Sequence, residues 1–178
     1  MSAAREQVLL HARQAGLDND PRPLGNGGRG AQAYADAVAT YLALAVDKAA
    51  AHGSSICSWL SGRDAVRHTF ARPAIPMVWN FVEANPFSNS TGNFQGAIDW
   101  VAEVIQQLPA HPPSSASLLD ATTAIPAVAP LLATDPPYYD NIGFADLADF
   151  FYIWLRRALR AIYPISSTPS SCPRARSW

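Results

Sequence analysis

Apolar residues recur along this chain in helical stripes separated by proline and glycine breaks. From Gln32 to His52, the residues Val38, Leu42, Ala45, Val46 and Ala49 share one face, and the alanines between them raise helix propensity further. Gly92-Asn93 leads into a second stripe of Phe94, Ile98, Val101, Ile105 and Leu108, which Pro109, Pro112 and Pro113 end. A third runs from Phe144 to Tyr163 through Leu147, Phe151, Trp154, Ala158 and Ile162. Its first half carries Asp146 and Asp149 and its second half Arg156, Arg157 and Arg160, a placement that suits the helix macrodipole. Ser2 to Ala15 is compatible with a short helix. The stretch from Gly53 to Asn93 reads as short helices and irregular packing, with its apolar residues set between Pro73, Pro76 and Pro86.

Two apolar runs are too short for helices. Ala116 to Leu119 closes on Asp120, and Ala129 to Thr134 closes on Asp135; both read as short buried strands that deliver an acid at their carboxyl ends. Helix, strand, strand, helix predicts an α/β fold in which acids at strand ends meet a ligand.

Composition narrows the functional classes. A 178-residue chain with 49% hydrophobic residues is long and apolar enough to bury a core. The formal net charge of -1 provides no overall positive field, so any nucleic-acid binding is local or borrowed from elsewhere. Cys57 and Cys172 have no second thiol or histidine at ligand spacing, which argues against zinc or a disulfide framework and is simplest in a reduced cytoplasm. No stretch approaches the roughly 20 apolar residues of a membrane span, and the first residues lack a signal-peptide pattern. His52, His68 and Cys57 show no partner pattern. The glycines of Gly25-Asn-Gly-Gly-Arg-Gly30 follow polar, proline-rich residues rather than the apolar strand a nucleotide-cradling turn needs, so this segment reads as loop or linker.

The chemistry is concentrated in Leu131-Leu-Ala-Thr-Asp-Pro-Pro-Tyr-Tyr-Asp-Asn-Ile142. Two prolines directly after an apolar run stiffen the turn and leave it without amide donors. An exocyclic aromatic amine is a poor nucleophile because its lone pair is delocalised. The Asp135 carboxylate and the Pro136 carbonyl are placed to accept both amine protons, draw the nitrogen towards tetrahedral geometry and aim its lone pair at a methyl donor. Tyr138 would stack on the base once it had left the duplex. The bland alternatives are a tight turn with an Asx-type bond at Asp135, a cap at Asp120 and a solvated face for the three arginines.

Asp135-Pro136-Pro137-Tyr138 matches the acceptor motif of the amino-methyltransferases that act on adenine in DNA. More narrowly, DPPYYDNIGFADLADFFYIWLRRALR and RPAIPMVWNFVEANPFSNSTGNFQGAIDWV resemble the large bacterial adenine-specific methylases that carry an uncharacterised N-terminal domain and are associated with anti-phage systems. The resemblance spans about residues 30 to 164. It implies a partial Rossmann-like methyltransferase sheet with a helix-rich N-terminal part, S-adenosyl-L-methionine as cosubstrate and double-stranded DNA as partner. It also implies that Asp120 contacts the adenine ring of the cosubstrate.

Two departures from the family pattern shape the expectations. The Phe-x-Gly-x-Gly turn that would hold the amino-acid part of the methyl donor is not in this sequence and is expected upstream of Met1, which leaves catalysis by this chain alone in doubt. After Tyr163-Pro164 the pattern gives way to a Ser/Pro/Arg-rich stretch, and codons from Pro164 onward can be chosen so that another frame encodes a methylase-like continuation. A frameshift would explain that tail. The expected organisation is therefore a linker or flexible N-terminus over 1–30, a partial methyltransferase domain over 31–164, and an irregular, poorly packed tail over 165–178.

Overall fold

A computed structural model of the protein describes residues 1–71, 77–109, 131, 133–135 and 144–164. In chain order the elements are helix α1 (Ser2–Gln14), helix α2 (Ala31–Gly53), strands β1 (Ser58–Leu60) and β2 (Ala65–Arg67), helix α3 (Phe94–Gln107) and helix α4 (Phe144–Leu159). Among the described residues the fold is helical with one small antiparallel sheet.

Helix α2 is the centre, and α1, α3 and α4 all pack on it. Its interior is built from Ala31, Ala33, Ala35, Ala39, Ala43, Ala45 and Ala51, all buried. Side chains this short let neighbouring helices approach closely from several sides while keeping helix propensity high. Each alanine removes little apolar area from water, so specific polar ties fix the neighbours in place. The outer helices run antiparallel to α2. Arg5 of α1 reaches Asp36, while the chain just beyond α1 returns to the start of α2 through Ala31 N–H donating to the Asp18 carbonyl at 2.8 Å. Trp100 of α3 lies beside Lys48, and Ile105 shares an apolar groove with Val38 and Tyr41. Beyond α4, Tyr163 meets Thr40 hydroxyl to hydroxyl at 3.4 Å.

Residues 1–30, expected as linker or flexible N-terminus, carry α1 and a loop that folds back on itself. Asp20 anchors the loop by accepting from the Arg22 side chain at 2.9–3.1 Å, the Arg22 N–H at 3.1 Å and the Arg29 N–H at 3.3 Å. These bonds to Arg22 hold the Asp20 carboxyl well below the usual carboxylate range.

After α2, residues 58–67 differ from the expectation of short helices and irregular packing, while 77–93 are irregular. Residues 58–67 form a hairpin with Ser58 opposite Arg67, Trp59 opposite Val66 and Leu60 opposite Ala65. Arg63 N–H donates to the Leu60 carbonyl at 3.0 Å, and Asp64 takes a positive φ of 45°, a left-handed turn position that aspartate tolerates. The hairpin closes on the end of α2. There the Ala51 carbonyl, one of the acceptors a helix leaves without an internal partner, receives Thr69 N–H at 2.9 Å, Thr69 Oγ1 at 2.8 Å and Cys57 Sγ at 3.4 Å.

The second and third stripes appear as α3 and α4. Helix α3 starts at an Asn93 cap whose Oδ1 accepts from Gly96 N–H at 2.6 Å. Helix α4 gives way at Leu159 to a turn in which the Leu159 carbonyl accepts from Ile162 and Tyr163.

Of the two strands expected to build the sheet, residues 116–119 lie outside the described residues. Within 129–134, Leu131, Ala133 and Thr134 belong to no strand, and Leu131 is 99% exposed. The expectation of a buried strand is corrected for these three residues. A strand covered on both faces needs neighbours to pair with, and the only sheet among the described residues is the hairpin at the end of α2. Also among the described residues, no helix is long and apolar enough to cross a membrane.

Candidate functional site

Asp135, the acid of the sequence motif, is exposed and lies outside any helix or strand. Its expected partners in the grip, Pro136, Pro137 and Tyr138, lie outside the described residues, as does Asp120. Helix α4 follows the motif from Phe144. Arg157 of α4 and Arg160 just beyond it border a groove with Met1, Ser2, Val46 and Trp154, and all three arginines, Arg156 included, are exposed.

A different set of residues, none given a role from sequence, converges where the end of α2 meets the start of α3. Lys48, His52, Thr91, Asn93 and Trp100 line a cleft of about 360 Å³, with Gly92, Gly96 and Ala97 forming the rest of its wall. The Lys48 ammonium sits 3.9 Å from the centre of the Trp100 ring, a cation–π contact. Lys48 and His52 stand one helical turn apart and so face the same way. Gly92 has a positive φ of 91°, and a Cβ there would press on the His52 ring, so only glycine lets this turn pass so close to the imidazole.

His52 in turn meets His68 edge to face, with ring centroids 5.0 Å apart. His68 Nδ1 accepts from Phe70 N–H at 3.1 Å, which requires that nitrogen to be unprotonated. Burial, reinforced by the nearby His52 and Lys48, moves the His68 pKa below its ordinary value. The aromatic chain continues through Phe70 to Phe150 and Phe151 of α4, at centroid distances of 5.2 and 5.3 Å.

The Lys48 to His52 spacing and the Gly92-Asn93 turn were visible in the sequence. Their meeting depends on the antiparallel packing of α2 and α3, which no local pattern encodes. Among the described residues, no group of three or more His, Cys, Asp or Glu side chains is placed to hold a metal ion. Comparison with protein-family models, curated proteins and solved structures finds no match to this chain.

Proposed function

We propose that this chain is part of an S-adenosyl-L-methionine-dependent DNA adenine methyltransferase, contributing the half of the site that grips the target base. The observation that carries the reading is the uninterrupted Asp135-Pro136-Pro137-Tyr138 motif with the α4 segment that follows it. The exposed position of Asp135 supports it, because a carboxylate that must accept an amine proton from a flipped base has to be reachable.

In this reading Asp135 and the Pro136 carbonyl accept the two amine protons, Pro137 stiffens the turn, and Tyr138 stacks on the ring. S-adenosyl-L-methionine supplies the electrophilic methyl group, and Asp120 would hold its adenine ring. A partial Rossmann-like sheet belongs to the same proposal, as do double-stranded DNA as partner and a cytoplasmic setting. The glycine-rich turn of the cosubstrate pocket would come from outside this sequence.

The test is to express the chain, and separately the locus with its flanking DNA, in a host lacking adenine methylation, then quantify N6-methyladenine in digested genomic DNA. The locus should produce the modified base, and Asp135→Ala should lower it by roughly 100-fold, the scale seen when one preorganised hydrogen-bonding group is removed. Unchanged methylation in the variant overturns the assigned role.

A second reading is a non-catalytic module that keeps part of the fold to bind a partner. Met77, Trp79 and Phe87 favour it, being 87%, 88% and 84% exposed. Absence of both methylation and saturable S-adenosyl-L-methionine binding in the product of the whole locus selects this reading over the first.

A further inference from the structure

The cleft between α2 and α3 has the chemistry of an anion site, and we propose that it binds a phosphate group. Three observations converge on it. Lys48 presents an ammonium to the cleft from one wall, and its stacking on Trp100 holds the charge there with fewer alternative rotamers. One turn along the same helix face, His52 lines the same wall, its Nδ1 3.4 Å from the Lys48 carbonyl. Thr91 supplies a hydroxyl from the opposite loop.

Among the described residues no carboxylate lines the cleft, so none of them competes for Lys48 from its wall. A cleft of about 360 Å³ admits a phosphate together with part of the sugar or base attached to it. Trp100, 61% exposed at the rim, offers a face on which a base can stack.

The chain as a whole carries a net charge of -1, so this pocket would act as a local contact and not through a long-range field. The phosphate can belong to a nucleic-acid backbone or to a free small molecule. Lys48 and Thr91 serve either one, and the proposal stands independently of the role given to Asp135.

The full chain is titrated with inorganic phosphate, with adenosine monophosphate and with a short duplex DNA of arbitrary sequence, at fixed chloride. The readouts are the His52 imidazole proton resonances and Trp100 fluorescence, with Trp100→Phe identifying the latter. A saturable shift of His52 is expected. Saturation by the two small ligands marks a small-molecule site, whereas saturation by duplex alone marks a backbone contact. Lys48→Met should weaken binding at least tenfold while Lys48→Arg retains it. In the duplex arm, Lys48→Met should also lower the slope of log affinity against log salt by about 1, the loss of one phosphate contact. If Lys48→Met does not fold, Thr91→Val provides the same comparison away from the α2 core. Absence of a saturable His52 shift in every arm overturns the proposal, as does equal binding by wild type and the substituted chain.

Discussion

Helix α2 buries two aspartates on nearly the same stripe, about three turns apart, and treats them in opposite ways. Asp36, fully inaccessible to solvent, accepts from Arg5 Nε at 2.6 Å, from Leu24 N–H at 3.0 Å and from Gln32 Nε2 at 3.4 Å. It ties α1 and the 18–30 loop to the central helix. Asp47, 7% exposed, has a carboxylate oxygen with no hydrogen-bond partner, and burial pushes its pKa up to about 6. Burial is common to both residues. What separates an anchor from a liability is whether donors were folded in beside the charge.

The largest expected effect comes from removing the donor and leaving the acid. Arg5→Ala should destabilise the fold by about 3–5 kcal/mol in chemical denaturation, because a fully buried carboxylate loses its counter-ion. Asp36→Ala should cost less, about 1–2 kcal/mol, since the Arg5 side chain is 24% exposed and can turn to water. Equal losses in the two variants would break the distinction between anchor and liability.

Asp47→Ala should act in the opposite direction. Aspartate in an unfolded chain titrates near pH ~3.9. Between about pH 4 and 6 the folded state therefore binds the extra proton, and stability falls as pH rises through that window and stays reduced above it. The substitution should raise stability at neutral pH by on the order of 1–3 kcal/mol and flatten the slope between about pH 4 and 6. A slope that survives in the variant would assign it to other groups.

Thr69→Val is the smallest change. It removes the Thr69 Oγ1 contacts with the Ala51 carbonyl, Ser54 Oγ and Cys57 Sγ but leaves Thr69 N–H in place, and should cost about 1–1.5 kcal/mol in the same denaturation measurement. A loss as large as that of Arg5→Ala would mean that the hairpin cap, and not the Asp36 cluster, is the main polar tie on α2.

These contrasts explain what could be read from sequence. The stripes of α2, α3 and α4 were legible because helices this long repeat their apolar spacing several times. Proline after Leu108 and the Gly92-Asn93 pair also marked the ends of α3 closely. The hairpin was not legible. Strands of three residues are shorter than the alternation needed to reveal a period of two, and its hold on α2 runs through Thr69 and Cys57, which no pattern links to Ala51. Nor did the sequence distinguish Asp36 from Asp47, because the difference lies in Arg5 and Leu24, which only tertiary packing brings near. For the candidate site, the Asp135 motif was legible as a string of residues, whereas the Lys48 cleft exists only once two antiparallel helices meet.

The glycines of the 18–30 loop have one further consequence. A Cβ on Gly28 would land on the Arg22 carbonyl, and one on Gly30 on the Asp18 carbonyl, so even alanine displaces backbone at either position. Arg29 between them contributes only its N–H to Asp20, and its side chain is open to replacement. Mutational drift through this stretch is therefore free at one letter and blocked at the letters on either side, in a segment whose composition looks uniformly permissive.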